Sequence, residues 1–314
     1  MTRRADRAPS GEPAIARWPV VRRRVIEMAA VPGRLLVVTD FDGTLATISL
    51  DPTAARIEPL GRSALRRLAS IAEAHPRRLM VVVLSGRTAQ DVASRVRVGG
   101  IEYHGDHGLE TGFLPRGVAA ERLGAKSDPA LAPLADGARA LAAAVSTTLG
   151  QPDWLFVEDK GPSVAFHFRA APDTAVAAAR VGAAVEAALA GHRRDDGQLG
   201  FTRFDGRRIV ELRPAGAGGK GATMTRLLAA GSFDTVMVMG DDRSDAEAFE
   251  VVAVARAEGR LAASLSLAVH GAAETPEEVV AAADLIVAGP AQAARALAAL
   301  ARALSDGAPG GSPG

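Results

Sequence analysis

Asp40-Phe41-Asp42-Gly43-Thr44 places two carboxylates two positions apart, directly after an apolar run that ends at Thr39. Carboxylates so spaced can converge on one cation, and a hard divalent ion such as magnesium takes oxygen ligands. Gly43 lets the chain turn sharply away. A polar strand-to-loop turn has the same composition, because Asp and Gly are common in turns. Ser85-Gly86-Arg87 follows a second apolar run. Its hydroxyl, its backbone amide and the start of the next helix can bind a phosphate oxygen. A helix N-cap serine is the plainer reading of that segment alone. Gly240-Asp241-Asp242-Arg243-Ser244-Asp245 closes a third run. Its carboxylates repel one another unless a cation neutralises them, whereas a solvated helix-capping loop needs none. Lys220 follows the glycine-rich residues 216–219. It can reach a phosphate as a point charge, or simply begin a surface helix.

The elements that must position these residues are visible in the pattern. Leu35–Thr39, Leu79–Leu84 and residues 235–239 are apolar on both faces and of strand length, as buried parallel strands are. Helical patterns over Pro59–Ala74, residues 88–97 and Lys220–Ala230 lie between them. This alternation predicts a doubly wound, mostly parallel α/β sheet, whose ligands bind at the carboxyl ends of the strands. The carboxylates fall at those ends. Residues 115–213 read differently. A helix is predicted over 129–149, strands over 154–159 and 163–169, and a helix over 173–190 behind Pro172. Strands over 200–204 and 208–212 flank Asp205-Gly206 as a hairpin turn. Helix–hairpin–helix–hairpin predicts an inserted α+β cap domain at 115–213. The core domain is then 31–114 and 214–304, with further strands at 264–269 and 284–287. Residues 1–30 read as a partly disordered extension and 305–314, rich in Gly, Pro and Ser, as a disordered tail.

The chain has 314 residues, 48% hydrophobic and 23% charged, with a formal net charge of +1. Nothing in that balance draws the whole molecule to nucleic acid or to an anionic membrane. The absence of cysteine excludes disulfides, thiol nucleophiles and zinc–thiolate sites. No apolar run reads as long enough to span a bilayer, and no apolar segment follows Arg3-Arg4 to form a signal peptide. The expectation is a cytoplasmic protein with a small-molecule partner, no nucleic acid and no membrane.

Asp-x-Asp-Gly-Thr, then Ser, then Lys, then Gly-Asp-Asp-x-x-Asp, in that order, resembles the haloacid-dehalogenase superfamily of phosphotransferases. The resemblance implies a HAD-like core with a cap and a bound Mg2+. It makes Asp40 the nucleophile and Asp42 the general acid, then base. Ser85 and Lys220 would hold the phosphoryl group, with Gly43, Thr44 and Arg87 on the substrate side. Asp40, the backbone carbonyl of Asp42, and Asp241 would bind magnesium, with Asp242 and Asp245 in support.

Five further segments narrow the match. They are Gly105-Asp106-His107-Gly108-Leu109-Glu110, Glu158-Asp159-Lys160-Gly161-Pro162-Ser163, His167-Phe168-Arg169, Glu211-Leu212-Arg213-Pro214, and the run from Asp241 to Phe249. Together they are similar to trehalose-6-phosphate phosphatases, over roughly residues 35–250. That similarity implies that Glu158, Lys160, Arg169 and Glu211 grip glucose hydroxyls, and that His107 and Gly108 line the core side. By residue type alone, Glu158 and Lys160 share one side of a strand end, which also suits a solvated sheet face. Ser244 stands where the family often has Thr, and Ala246 where it often has an acid. Sucrose phosphate, mannosylglycerate phosphate and glucosylglycerol phosphate remain alternative substrates. A catalytically silent sugar-phosphate-binding domain and a phosphomutase remain alternative functions.

Overall fold

The computed structural model describes residues 14–49, 54–191, 200–206, 208–216, 218–271 and 275–306. Strand β1 (Leu35–Thr39) is buried at every position, as its two-sided apolar sequence requires. Its residues alternate between two hydrophobic layers: Leu35 and Val37 face one, Leu36 and Val38 the other. The first layer takes α1 (Trp18–Ala29) and α2 (Pro59–Ala74), which begins with proline at its first turn. After β2 (Leu79–Leu84) come α3 (Ala89–Val96), β3 (Ile101–Gly105) and β4 (Glu110–Leu114).

The smaller unit follows. It holds α4 (Leu134–Leu149), β5 (Phe156–Asp159), β6 (Val164–His167), α5 (Thr174–Gly191), β7 (Phe201–Gly206) and β8 (Ile209–Pro214). The chain then returns to the core with α6 (Lys220–Ala230), β9 (Thr235–Gly240) and α7 (Arg243–Ala257). It ends with β10 (Ala263–His270), α8 (Glu277–Ala282), β11 (Leu285–Ala288) and α9 (Gly289–Asp306).

The seven longer strands of the eight-stranded core sheet run in the order β11-β10-β9-β1-β2-β3-β4. All neighbours are parallel except β3 and β4. Chain order reverses between β1 and β9: β2 lies on one side of β1, and the returning chain enters on the other. Such a switch point opens a crevice at the strands' carboxyl ends. Register makes it symmetric, since Thr39 pairs with Met239 on one side and Val83 on the other. Asp40, Gly240 and Leu84 are thus level. The smaller unit is an antiparallel sheet, β5-β6-β8-β7, whose Phe166, Val210 and Leu212 pack with Leu141 and Val145 of α4 and Val181 and Val185 of α5.

The structure divides the chain at different places from those expected. One compact unit takes the described residues up to Ala125 and from Gly219 onward; the other is Lys126–Gly218. The expected boundary at 115 falls short because Ala120 and Leu123 pack into the core. The one at 213 falls short because Pro214 still pairs with Phe201 in the cap sheet. Residues 18–29, expected in a partly disordered extension, form α1, and its Val21, Val25 and Met28 are core residues. Residues 1–13 and 307–314, also within the expected disordered ends, lie outside the described residues, while Ser305 and Asp306 complete α9.

A second correction concerns apolar length. One helix among the described residues, Thr174–Gly191, is long and apolar enough to cross a membrane by length and composition. Here its Ala177, Val181, Val185 and Leu189 are buried against the cap sheet.

If α1 belongs to the core, Val25→Ala should lower the unfolding free energy by about 2 kcal/mol in denaturant titration, from two lost methyl groups and the cavity they leave. Arg22→Ala, on the exposed side, should change it by less than about 0.5 kcal/mol. Equal effects would show α1 to be a loose appendage.

Candidate active site

Asp40 is the first residue past β1, and its amide still donates to Met239 O at 3.0 Å. That bond holds a buried carboxylate at the crevice. The chain then folds back, with the amides of Leu45 and Ala46 both donating to Phe41 O at 2.9 Å. Gly43 sits at φ +81°, and a Cβ there would stand 2.0 Å from Asp241 Oδ2. Only glycine fits that approach. Thr44 Oγ1 donates to Asp241 Oδ1 at 3.0 Å, tying the first motif to the last across 197 residues.

The acidic loop after β9 is ordered by α7. Asp242 caps that helix by accepting from Asp245 N, and Asp245 completes a capping box. Asp245 Oδ2 accepts from the amides of Asp241 (3.0 Å) and Asp242 (3.1 Å). Lys220, the first residue of α6 and 1% exposed, brings its ammonium into this group. Its Nζ lies 2.8 Å from Asp245 Oδ1, 3.0 Å from Asp40 Oδ1 and 3.9 Å from Asp242 Oδ1. Burial alone would push the Lys220 ammonium toward neutrality, but Asp245, Asp40 and Asp242 hold its pKa well above the ordinary value.

Carboxylate oxygens of Asp40, Asp241 and Asp245 lie within 4.8 Å of one another. Burial raises the Asp40 pKa to about 6, against the pull of Lys220 and with help from Asp242 and Asp42. Asp241 is likewise pushed well up, by burial and then by Asp40, Asp242 and Asp245. One ammonium therefore does not balance the cluster. The donor set is all oxygen and carries excess negative charge, which fits a hard divalent cation. Asp245 is already committed, one oxygen to Lys220 and the other to two amides. The carboxylates of Asp40 and Asp241 remain the ones best placed for a metal.

The side chain of Asp42 turns to Arg87, whose Nε and Nη2 donate to its two oxygens at 2.6 and 2.8 Å. Arg87, expected on the substrate side, thus forms a two-point fork on the expected acid–base residue. Its Nη1 donates to Asp91 at 2.8 Å, and Asp91 also accepts from Arg95 Nε at 2.8 Å. Ser85 is buried, and its hydroxyl accepts from Arg87 N at 3.2 Å. Beyond β3, Asp106, His107 and Gly108 take φ values of +46°, +55° and +94° in succession, a strained turn of the kind that clusters at functional sites. It is pinned to the Ser85 loop, with His107 N donating to Ser85 O (2.9 Å) and Asp106 N to Arg87 O (2.7 Å). Gly108 allows α6 to approach, since a Cβ there would stand 1.9 Å from Thr223 Oγ1. Asp40, Asp42, Gly43, Thr44, Ser85, Arg87, His107, Gly108, Lys220, Asp241, Asp242 and Asp245 are thereby linked within one unit.

In the smaller unit, Glu158 and Glu211 both lie opposite Ala165, one on each side. Lys160 lies one residue past the end of β5, yet its ammonium ion-pairs with Glu211 Oε1, both residues being buried. Glu158 pairs with His167 at 2.9 Å. Burial works against the Glu158 charge, but His167 and then Lys160 hold its carboxyl below the ordinary range. The strand expected to continue to 169 ends at His167, because Phe168 N turns to Arg208 O (3.0 Å) and Ala171 N to Phe168 O (3.2 Å). Arg169 is therefore two residues beyond the sheet and half-buried. Three residues joined to this machinery carried no assignment from sequence. Arg213 donates Nε to Glu211 at 2.8 Å and lies over the Phe204 ring; its signal was the two-residue spacing from Glu211. His167 was legible as the diagonal neighbour of Glu158 once the hairpin was drawn. Asp91 was legible as the i+4 partner of Arg87.

The fold and this centre define a haloacid-dehalogenase-like α/β domain with an inserted cap. The chain is similar in structure to the trehalose-6-phosphate phosphatase C-terminal domain of C. albicans, at TM-score 0.71 and 18% identity over 93% of this chain and 99% of that one. A haloacid dehalogenase-like hydrolase from Bacteroides thetaiotaomicron is similar at TM-score 0.53 and 17% identity, over 87% and 99%. The trehalose-phosphatase family profile matches residues 38–279, and the chain belongs to that family. Trehalose-phosphate phosphatase of Mycobacterium avium is 38% identical over 222 residues, 69% of this chain and 51% of its own. The Mycobacterium tuberculosis H37Rv protein of the same name is 37% identical over 221 residues, again 69% and 51%. The chain spans about half the length of these curated relatives.

Two outcomes follow from the geometry. Gly43→Ala should lower stability by about 1–3 kcal/mol, and clearly more than Gly117→Ala, where φ is +75° but no atom lies within 4 Å of the added Cβ. Equal losses in thermal melts would mean that Asp241 yields freely. For Asp40, a folded pKa of about 6 against an ordinary 3.8 means that the folded state holds the proton longer. Its charge therefore costs stability as pH rises from about 4 to 6, and costs most above 6. In metal-free protein, Asp40→Asn should raise the melting temperature above pH 6, with the gain vanishing toward pH 4. A gain confined to acid pH would reverse this reading.

Proposed function

We propose that the chain hydrolyses trehalose 6-phosphate to trehalose and phosphate, through a covalent aspartyl-phosphate on Asp40. The observation that carries the proposal is the buried Asp40, held against Lys220 at the β1–β9 crevice beside Asp241. Family membership supports the substrate. Magnesium fits the oxygen donors of Asp40 and Asp241 and the backbone carbonyl of Asp42, and would neutralise charge on the phosphoryl oxygens when bound.

In the first step an Asp40 oxygen bonds to phosphorus as the bond to the sugar oxygen breaks. Asp42 gives its proton to that leaving oxygen. In the second step Asp42 takes a proton from water, whose oxygen displaces the phosphoryl group and regenerates Asp40. Lys220 lets an anionic nucleophile approach an anionic phosphate by offsetting their repulsion, and Ser85 offers its hydroxyl to the same group. As drawn by Arg87, both Asp42 oxygens are acceptors. Delivery of a proton therefore requires one arm of that fork to open. The cap's Glu158, Lys160, Glu211 and Arg169 supply charge-assisted hydrogen bonds for sugar hydroxyls. A cysteine-free chain of balanced charge fits a cytoplasmic setting for this activity.

The test is phosphate release from a panel of sugar phosphates, with magnesium and with chelator. Release confined to trehalose 6-phosphate and abolished by chelator is expected, with Asp40→Asn falling to background. Release from sucrose phosphate or glucosylglycerol phosphate instead would reassign the substrate. Transfer within one sugar, with little free phosphate, would indicate a mutase, and activity near the parent level in Asp40→Asn would end the covalent mechanism.

A further inference from the structure

A second concentration of charge, opposite in sign, lies at the far end of α3. That helix begins beside Arg87 and has eight residues, so at about 1.5 Å of rise per residue its ends are about 12 Å apart. A cleft of about 670 Å³ there is lined by Arg66, Arg67, Arg97 and Arg116. An adjoining one of about 420 Å³ is lined by Arg56, Arg62, Arg95 and Arg97. Arg97 belongs to both. Volumes of roughly 300–1,000 Å³ are those of small-molecule sites.

Carboxylates do not balance this cluster. Arg95 is paired with Asp91 and Arg116 with Glu73, while Arg62 donates to Val96 O and Arg95 O at 3.1 Å each. Among the described residues, Arg56, Arg66, Arg67 and Arg97 have no ion pair, and Glu121 is the one acid lining the larger cleft. Burial, then the charges of Arg66, Arg97 and Arg56, depress the Arg62 pKa. Arg97 is held at φ +54°, a conformation that favours glycine. A non-glycine residue at that strained corner sets a guanidinium where the two clefts meet.

Guanidinium groups recognise phosphate oxygens through paired donors, and a bound anion relieves their mutual repulsion. One phosphate has too little charge to neutralise four unpaired arginines; a chain of phosphates has enough. We propose that the two clefts form one binding site for a small polyphosphorylated anion, with Arg97 at its centre and Arg66 and Arg67 along its wall. The concave shape and the chain's net charge of +1 favour a small ligand over an extended nucleic acid.

The test is calorimetric titration of the full chain, free of divalent metal, with inorganic tripolyphosphate and in parallel with a nucleoside triphosphate. Saturable binding is expected. It should weaken at least about tenfold in the Arg66→Gln/Arg67→Gln double variant and in Arg97→Gly, the loss of charged hydrogen bonds each worth more than a factor of ten. Glycine suits the Arg97 backbone, so that variant should melt no earlier than the parent. Tighter binding of the nucleotide would identify a nucleotide site, and equal binding a bare polyphosphate site. Absence of saturable binding, or indifference to all three arginine substitutions, would overturn the proposal.

Discussion

Charge compensation around Lys220 is the constraint on which the core depends. A buried ammonium without partners is costly, and so are three adjacent carboxylates without cations. The structure meets both demands at one point by threading Lys220 between Asp40 and Asp245. This requires the start of α6, the end of β1 and the start of α7 to meet at the β1–β9 switch point. The parallel register of β1 and β9 brings the carboxylates level. The Asp242–Asp245 capping box fixes the loop that presents Asp241. Gly43 keeps the Asp40 loop close enough to touch it. Charge balance remains incomplete, and that residual negative charge is what suits the centre to a cation.

A second ionic chain runs outward from this centre. Asp42 is held by Arg87, Arg87 by Asp91, and Asp91 by Arg95. All three of the latter lie on or just before α3, with Arg87 and Asp91 four residues apart and Asp91 and Arg95 four apart again. Helical periodicity lines them up. The helix therefore links the side chain proposed for proton transfer to the arginine-rich end of the core. In the smaller unit the same economy recurs: Lys160 and Arg213 share the carboxylate of Glu211, one on each oxygen.

Much of the fold was legible because local and tertiary demands agree. Strands β1 and β2 and helices α2 and α6 begin and end where the apolar pattern predicts. Elsewhere one signal masked another. Residues 18–29 were grouped with the N-terminal extension, yet Val21, Val25 and Met28 recur at helical spacing and form the buried stripe of α1. The run of alanine and valine in α5 is apolar by composition, and it takes the cap sheet, with Phe166 and Leu212 facing it, to show where that surface is buried.

Residue types and order determined the centre's membership: Asp40, Lys220 and Asp241 each follow a strand or loop whose pattern marks the carboxyl rim of a parallel sheet. Sequence could not determine which side chain pairs with which. The turn of Asp42 toward Arg87, the commitment of Asp245 to Lys220, and the shared carboxylate of Glu211 depend on direct contacts between residues up to 51 positions apart. Periodicity fixes which face a side chain occupies, but the partner on that face is chosen by packing and by competition among charges, which exist only once the chain has folded.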